Sequence, residues 1–256
     1  MAVPSDDLGL AVAVPPVVAR VVSLVPSLTE AIAVSAPGLL VGATDWCSHP
    51  AELSVTRIRG TKNPRIEQIV ALAPDLVVAN EEENRPADLA ALREAGLPVW
   101  TTNPQTVAEA LRSLDRMLRL ACRLPRPRWL DDAEQAWAAL EPAAALPVLV
   151  PIWRRPWMAL GRDTFAGDVL RRLGYANVLA DASERYPRIE PTAADPAQLV
   201  VLPDEPYRFT ADDGPEAFPG TPAALVSGRH LTWYGPSLAE APARLTAELE
   251  ARLPPG

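Results

Sequence analysis

Ala73–Glu82 reads APDLVVANEE, and 123 positions later Pro196–Glu205 reads PAQLVVLPDE. Each copy is a short uninterrupted run of Leu and Val that ends in acids. Such a run suits a strand buried on both faces, the kind found in parallel sheets covered by helices. Leu-Val-Val alone is common in these strands. Its recurrence at the same place in each half makes it a guide to the organisation of the chain.

Working outward in the first half, Arg20–Val25 (RVVSLV), Leu39–Thr44, Leu76–Ala79 and Pro98–Thr102 read as strands. Helices fall between and after them. Ser27 followed by Glu30 is a capping-box pattern for a helix to about Ala36. Asn63-Pro64 opens a helix with Ile66, Ile69, Val70 and Ala73 at helical spacing. Arg85–Ala95 is a helix stopped by Gly96, and Thr106–Cys122 is an amphipathic one. The second half reads as strands at Val148–Trp153, Asn177–Ala180, Leu199–Leu202 and Ala224–Ser227, with helices at Thr164–Leu173 and Leu238–Leu253. Between the halves Arg123–Arg128 (RLPRPR) breaks the alternation, and Trp129–Leu140 is a helix closed by Pro142. Alternation of this kind builds right-handed βαβ units. The expected plan is an N-terminal α/β lobe over 1–124, a connecting helix segment over 125–143 and a C-terminal α/β lobe over 144–256.

Composition sets outer bounds. The chain has 256 residues, 48 % of them hydrophobic, which supplies a real core. Its net charge of -8 argues against general affinity for nucleic acid or anionic membranes. Lys62 is the only lysine, and with many Ala and 29 Pro this reads as codon bias. Cys47 and Cys122 form no CxxC, so a zinc knuckle or thioredoxin-type pair is excluded. Residues 1–19 carry no Lys or Arg but do carry Asp6 and Asp7, and their apolar stretch is broken by Pro15 and Pro16. Arg20 follows that stretch, the reverse of a secretory signal, and there is no early Cys for lipidation. No run reaches the length of a membrane span. These features predict a cytoplasmic protein.

Ligands of open α/β sheets collect beyond the carboxyl ends of the strands. Those ends are Thr44–His49, Asn80–Asn84, Thr101–Asn103, Trp153–Trp157, Asp204–Arg208 and Arg229–Tyr234. They hold Trp46, Trp153, Trp157, Tyr207, Trp233 and Tyr234, although Phe, Trp and Tyr make up only 5 % of the chain. Any single Trp can anchor a loop; as a group they suit a large flat or greasy ligand. Arg154, Arg155, Arg208 and Arg229 can grip its acidic groups or simply neutralise nearby acids. Glu81-Glu82-Glu83-Asn84 reads either as an oxygen cluster for a hard cation or as a solvated charge run. Asp45, Cys47 and His49 alternate and can share a face, with His230 as a distant partner for a transition metal. There is no GxGxxG, P-loop, GxSxG elbow or HExxH, and two histidines leave little general-base capacity.

Arg20–Glu30 (RVVSLVPSLTE), Val41-Gly42, Ile66–Asn80 (IEQIVALAPDLVVAN), Thr164–Asp181 (TFAGDVLRRLGYANVLAD), Tyr186–Ile189 and Leu199–Asp204 together resemble the helical-backbone metal receptors. These are the cobalamin- and ferric-siderophore-binding proteins of ABC importers, with the class III periplasmic binding protein fold. The resemblance implies two Rossmann-like lobes joined by a single rigid α-helix, with a ligand cleft between the lobes, and no enzyme. It places the cleft aromatics at Trp46, Tyr186 and Trp233, with His49 where a relative has another aromatic. The full set of candidate ligand contacts is Trp46, His49, Asn80, Glu81, Trp153, Arg154, Tyr186, Tyr207, Arg229, Trp233 and Tyr234. The implied ligand is a metal chelate, a corrinoid such as cobalamin first, then a ferric siderophore or haem, with no intrinsic cofactor. Glutamates that dock relatives onto a permease align with Pro86 and Thr192, with Glu83, Asp88 and Glu190 nearby. The expectation is therefore a monomeric cytoplasmic chelate receptor. An importer component, or an enzyme using Asp45, His49, Glu81 or His230, stands as the alternative.

Overall fold

A computed structural model describes residues 3–140, 145–191 and 196–252. The chain forms two compact units. The first takes residues up to Pro104, Ala108–Asp131 and Tyr234–Pro236; the second takes Gln105–Val107, Asp132–Trp233 and the chain from Ser237.

In the first unit β1 (Val21–Ser23), β2 (Leu40–Ala43), β3 (Thr56–Arg57), β4 (Leu76–Asn80) and β5 (Val99–Thr102) make one parallel sheet in the order β3-β2-β1-β4-β5. The central strands have no exposed face: Val21, Val22, Leu76, Val77 and Val78 are fully buried, as their apolar runs require. β3 has no apolar run to announce it, since Thr56-Arg57 is polar and only two residues long. Three helices follow: α1 (Pro26–Ser35), α2 (Ile66–Ala71) and α3 (Pro86–Glu94). α4 (Val107–Arg116) continues directly into a π-helical turn, Met117–Ala121.

Two helix starts differ from the reading of the sequence. α1 begins at Pro26 with Val25 as its N-cap and no side-chain cap bond, so Ser27 lies inside the helix and the capping box does not form. Proline fits the first position because its missing N–H has no partner there. α2 begins at Ile66, two residues beyond Pro64, again without a side-chain cap. The segment before β1 is folded rather than loose: Asp6 and Val12 are buried.

α5 (Arg128–Ala138) carries the chain from one unit to the next, and the division between Asp131 and Asp132 falls within it. It ends at Ala138, before Leu140, and Pro142 lies outside the described residues.

In the second unit β6 (Leu146–Leu149), β9 (Tyr175–Asn177), β10 (Leu199–Pro203) and β11 (Ala223–Val226) form a parallel sheet in the order β11-β10-β6-β9. The run Val148–Trp153, read as one strand, is two: after β6 the chain turns into a small antiparallel hairpin of β7 (Pro151–Trp153) and β8 (Met158–Ala159). α6 (Phe165–Arg172) is capped by Thr164, whose Oγ1 accepts the Gly167 N–H at 3.2 Å. α7 (Gly228–Thr232), a 3₁₀ turn at Pro236–Ala239 and α8 (Ala241–Glu250) complete the chain. The single helix expected from Leu238 is thus a turn and then a helix, because Pro242 belongs in a first turn. The two Leu-Val-Val runs are β4 and β10, each an inner strand of its own sheet.

Candidate ligand-binding site

Beyond β2 of the first unit, a polar scaffold holds the loop Thr44–His49. Arg57 donates to the Thr44 and Cys47 carbonyls, both at 2.9 Å, and to the Leu53 carbonyl at 3.3 Å. Cys47 is buried, with its Sγ 3.0 Å from Thr29 Oγ1 and 3.1 Å from Thr44 Oγ1. Burial pushes its thiol above the ordinary range, so it is not poised as a thiolate ligand. Trp46 points the other way, 69 % exposed. Asp45 is exposed, and half-buried His49 lies with Nδ1 3.1 Å from Ser48 Oγ. Asp45, Cys47 and His49 therefore do not form a joint metal face. Among the described residues no three His, Cys, Asp or Glu side chains converge to hold a metal.

Beyond β4, Asn80 is buried and organises the acidic run. Its Oδ1 accepts the N–H groups of Glu82 and Glu83, both at 2.9 Å, and its Nδ2 donates to the Thr102 carbonyl at 2.9 Å. Asn84 repeats the device: its Oδ1 accepts the Asn80 N–H, and its Nδ2 donates to the Thr61 carbonyl at 3.0 Å. Glu81, Glu82 and Glu83 are left on the outside of the turn, although the protein around Glu83 pushes its carboxyl pKa up. Asn80, expected as a ligand contact, is committed to its own loop, while Glu81 remains exposed. Tyr234 is buried in the same unit with its hydroxyl 3.2 Å from Thr102 Oγ1, and burial raises its phenol pKa. It serves as a core anchor, contrary to its expected role at the ligand.

In the second unit the β7–β8 hairpin and the loop after β10 meet in a ladder of rings. Phe218 and Phe209 are buried. Trp157 packs edge-on to Phe218 with centroids 5.2 Å apart and stacks on Phe209 at 5.8 Å. Tyr207 lies 4.7 Å from Phe209, and Trp153 meets Tyr207 edge-on at 5.8 Å. Trp153, the outer rung, is 43 % exposed. Arg154 braces the ladder. Its guanidinium lies 5.2 Å from the Trp157 centroid and pairs with Asp213 and, at 2.6 Å, with Glu216. Asp213 also accepts the Tyr207 hydroxyl at 2.6 Å. That bond, with burial, raises the Tyr207 pKa. Arg154 is thus occupied by acids rather than held ready for a ligand; Arg155 and Arg208 beside it are exposed.

Tyr186 sits on a segment bonded along this hairpin. Ala159 N–H donates to the Pro187 carbonyl at 3.1 Å, Gly161 N–H to the Arg185 carbonyl at 2.8 Å, and Ile189 N–H to the Trp157 carbonyl at 3.1 Å. The approach is close enough that a Cβ on Gly161 would lie 2.2 Å from the Glu184 carbonyl oxygen, so only glycine fits. The half-buried Tyr186 ring accompanies the hairpin.

Of the remaining expected contacts, Arg229 lies in a tight polar knot with His230 and Glu240. His230 is buried, with Nδ1 2.7 Å from Ser227 Oγ and Nε2 2.9 Å from Glu240 Oε1. Arg229 reaches the same Glu240 oxygen at 3.4 Å. The His230 bond, foremost, holds the Glu240 carboxyl below its usual range. Both side chains pin α7 to the chain before α8. Trp233 is 8 % exposed, too enclosed to offer a free stacking face. Sequence reasoning missed Phe209, Phe218, Asp213 and Glu216. The alternation Tyr207–Phe209 was an available signal for one shared face; nothing nearby marked the two acids.

A profile of the periplasmic binding protein family matches residues 21–223, and the chain belongs to that family. These are binding proteins, not enzymes. Among curated relatives, the vitamin B12-binding protein of Vibrio cholerae is 25 % identical over 181 residues, covering 66 % of this chain and 64 % of the relative. The chain thus spans just under two thirds of the length of that relative. Among solved structures, the periplasmic vitamin B12 binding protein BtuF of Vibrio cholerae superposes with a TM-score of 0.72 at 21 % identity, over 92 % of this chain and 98 % of that one. The periplasmic heme-binding protein RhuT of Roseiflexus sp. RS-1 gives 0.74 at 23 % identity, over 91 % and 98 %. The family corrects the expected location. A cytoplasmic receptor was inferred from residues 1–19 and from Pro86 and Thr192 at the docking positions, whereas the family and these neighbours are periplasmic.

Proposed function

We propose that the protein is the substrate-binding component of an importer for a metal chelate with a flat macrocycle, a corrinoid first. The carrying observation is the aromatic ladder that rises from the core at Phe218 and Phe209 and ends in the exposed ring of Trp153 beyond the strand ends. A ring fixed by other rings loses little entropy when a ligand stacks on it. Trp46 offers a second exposed ring in the first unit. Haem is the second reading, favoured by the exposed cations of Arg155 and Arg208 beside the ladder, which suit carboxylates on a ligand.

Docking to a permease falls to Glu83 and Glu190, both exposed. Pro86 only opens α3, Asp88 is held by both Nε and Nη2 of Arg85, and Thr192 lies outside the described residues. The test is an absorbance titration with cyanocobalamin, haemin and a ferric siderophore. Saturable spectral change with cyanocobalamin or haemin supports the reading, and a change with the siderophore alone counts against a flat macrocycle. No change with any of the three at millimolar concentration overturns it.

A further inference from the structure

Trp46 is 69 % exposed, yet one edge of its ring is seated. A Cβ placed on Gly60 would lie 3.2 Å from Trp46 Nε1, 3.8 Å from Trp46 Cδ1 and 2.7 Å from Asn63 Oδ1. The pyrrole edge of the indole and the Asn63 amide thus close over the side of Gly60 where a side chain would stand. The backbone does not itself call for glycine, because φ at Gly60 lies outside the left-handed region. What glycine supplies at this position is room for the ring.

The floor under the ring is held from several directions. Asp45 N–H, next to Trp46, donates to the Arg59 carbonyl at 2.9 Å, and Arg65 N–H donates to the Ile58 carbonyl at 2.9 Å. Asn63 N–H closes a turn on the Gly60 carbonyl at 3.2 Å. From the acidic turn beyond β4, Asn84 Nδ2 donates to the Thr61 carbonyl at 3.0 Å, and Lys62 Nζ donates in return to the Glu82 carbonyl at 2.5 Å. Moving this loop to accommodate a side chain at Gly60 would break these bonds. The exposed indole and the exposed Asn63 amide are the cheaper groups to displace.

We propose that Gly60 is a positioning residue that seats Trp46 for stacking on the bound chelate. The inference rests on the binding role given to Trp46 above. The test joins absorbance titration with cyanocobalamin and haemin to fluorine NMR of the full chain labelled with 5-fluorotryptophan. Gly60→Val should weaken the chelate that the parent binds by at least about fivefold and Gly60→Ala by less, both short of the ten- to hundredfold loss expected when the ring itself is removed. In the Trp46→Ala background Gly60→Val should change affinity by less than about twofold, because no ring is left to displace. Of the seven tryptophan resonances, the one lost in Trp46→Phe should move in Gly60→Val while the other six stay in place and report an intact fold. If Gly60→Val does not fold, Gly60→Ala carries the same measurements. A Trp46 resonance that does not move, an affinity that does not fall, or a loss that persists in the Trp46→Ala background overturns the proposal. A parent that binds no chelate overturns the functional reading instead, and the resonance alone then decides whether Gly60 seats the ring.

Discussion

The strand ends of the two units are rigid for opposite reasons. In the first, polar atoms hold backbone: Asn80, Asn84 and Arg57 between them accept or donate eight hydrogen bonds with main-chain groups at 2.9–3.3 Å. Trp46 stands exposed on that scaffold. In the second, rings hold rings, and the polar contribution is Arg154 with its two acids at the flank. A hydrogen-bonded loop keeps its shape when an exposed side chain is trimmed. An aromatic ladder transmits the loss of any rung, because packed interiors relax only partly around a cavity.

The sharpest way to break this contrast is Phe209→Ala. It removes a buried ring that touches both Trp157 and Tyr207, and should cost about 3–5 kcal/mol of stability with loss of near-ultraviolet ellipticity. Trp46→Ala should stay within about 0.5 kcal/mol of the parent. Equal melting temperatures for the two variants would end the distinction. In the first unit the comparable damage comes from a small polar residue. Asn80→Ala leaves the N–H groups of Glu82 and Glu83 without their acceptor and should cost about 1–3 kcal/mol. Hydrogen exchange at those two amides reads the effect directly; unchanged protection would show that Asn80 does not shape the turn.

Binding sharpens the same comparison. Trp46→Ala and Trp153→Ala each remove one exposed ring, and each should weaken chelate affinity by about 1–3 kcal/mol, roughly ten- to hundredfold. If only Trp153→Ala matters, the ligand depends on the braced ring alone. If neither does, the exposed rings are not where the chelate sits.

The buried strands were legible in the sequence because uninterrupted Val and Leu runs have one physical use here, and Ala73–Glu82 and Pro196–Glu205 did become equivalent inner strands. Helix starts were less so, since Ser27 and Asn63 are capping residue types that neither helix uses as its N-cap. At the strand ends, residue type announced aromatic surface but not its orientation. Trp46 and Trp233 read alike, yet one is exposed and the other enclosed. For Arg154 the sequence left open whether it grips a ligand or neutralises acids, because Asp213 and Glu216 lie about 60 residues away, and pairing over that separation leaves no local pattern.

The smallest expected effect concerns a carboxylate of the second unit that accepts a backbone N–H, as Asp6 does in the first. Buried Asp168 accepts the Val107 N–H at the start of α4 at 2.9 Å, and pairs with Arg171 at 2.6 Å and Arg172 at 2.9 Å. Burial alone would raise its pKa, but the Val107 N–H and the two guanidinium groups outweigh that and hold it below the usual carboxylate value of about 3.9. A carboxyl whose pKa is lower folded than unfolded stabilises the fold fully above the unfolded value, and that stability is lost as pH falls through the folded one. Asp168→Asn should therefore cost about 1–2 kcal/mol at pH 7, by analogy with lost helix caps, and progressively less below about pH 4. Urea midpoints of the parent and the variant should converge in that acidic range. A penalty of equal size at pH 3 and pH 7 would mean that the amide's altered hydrogen bonding, rather than the missing charge, carries the loss.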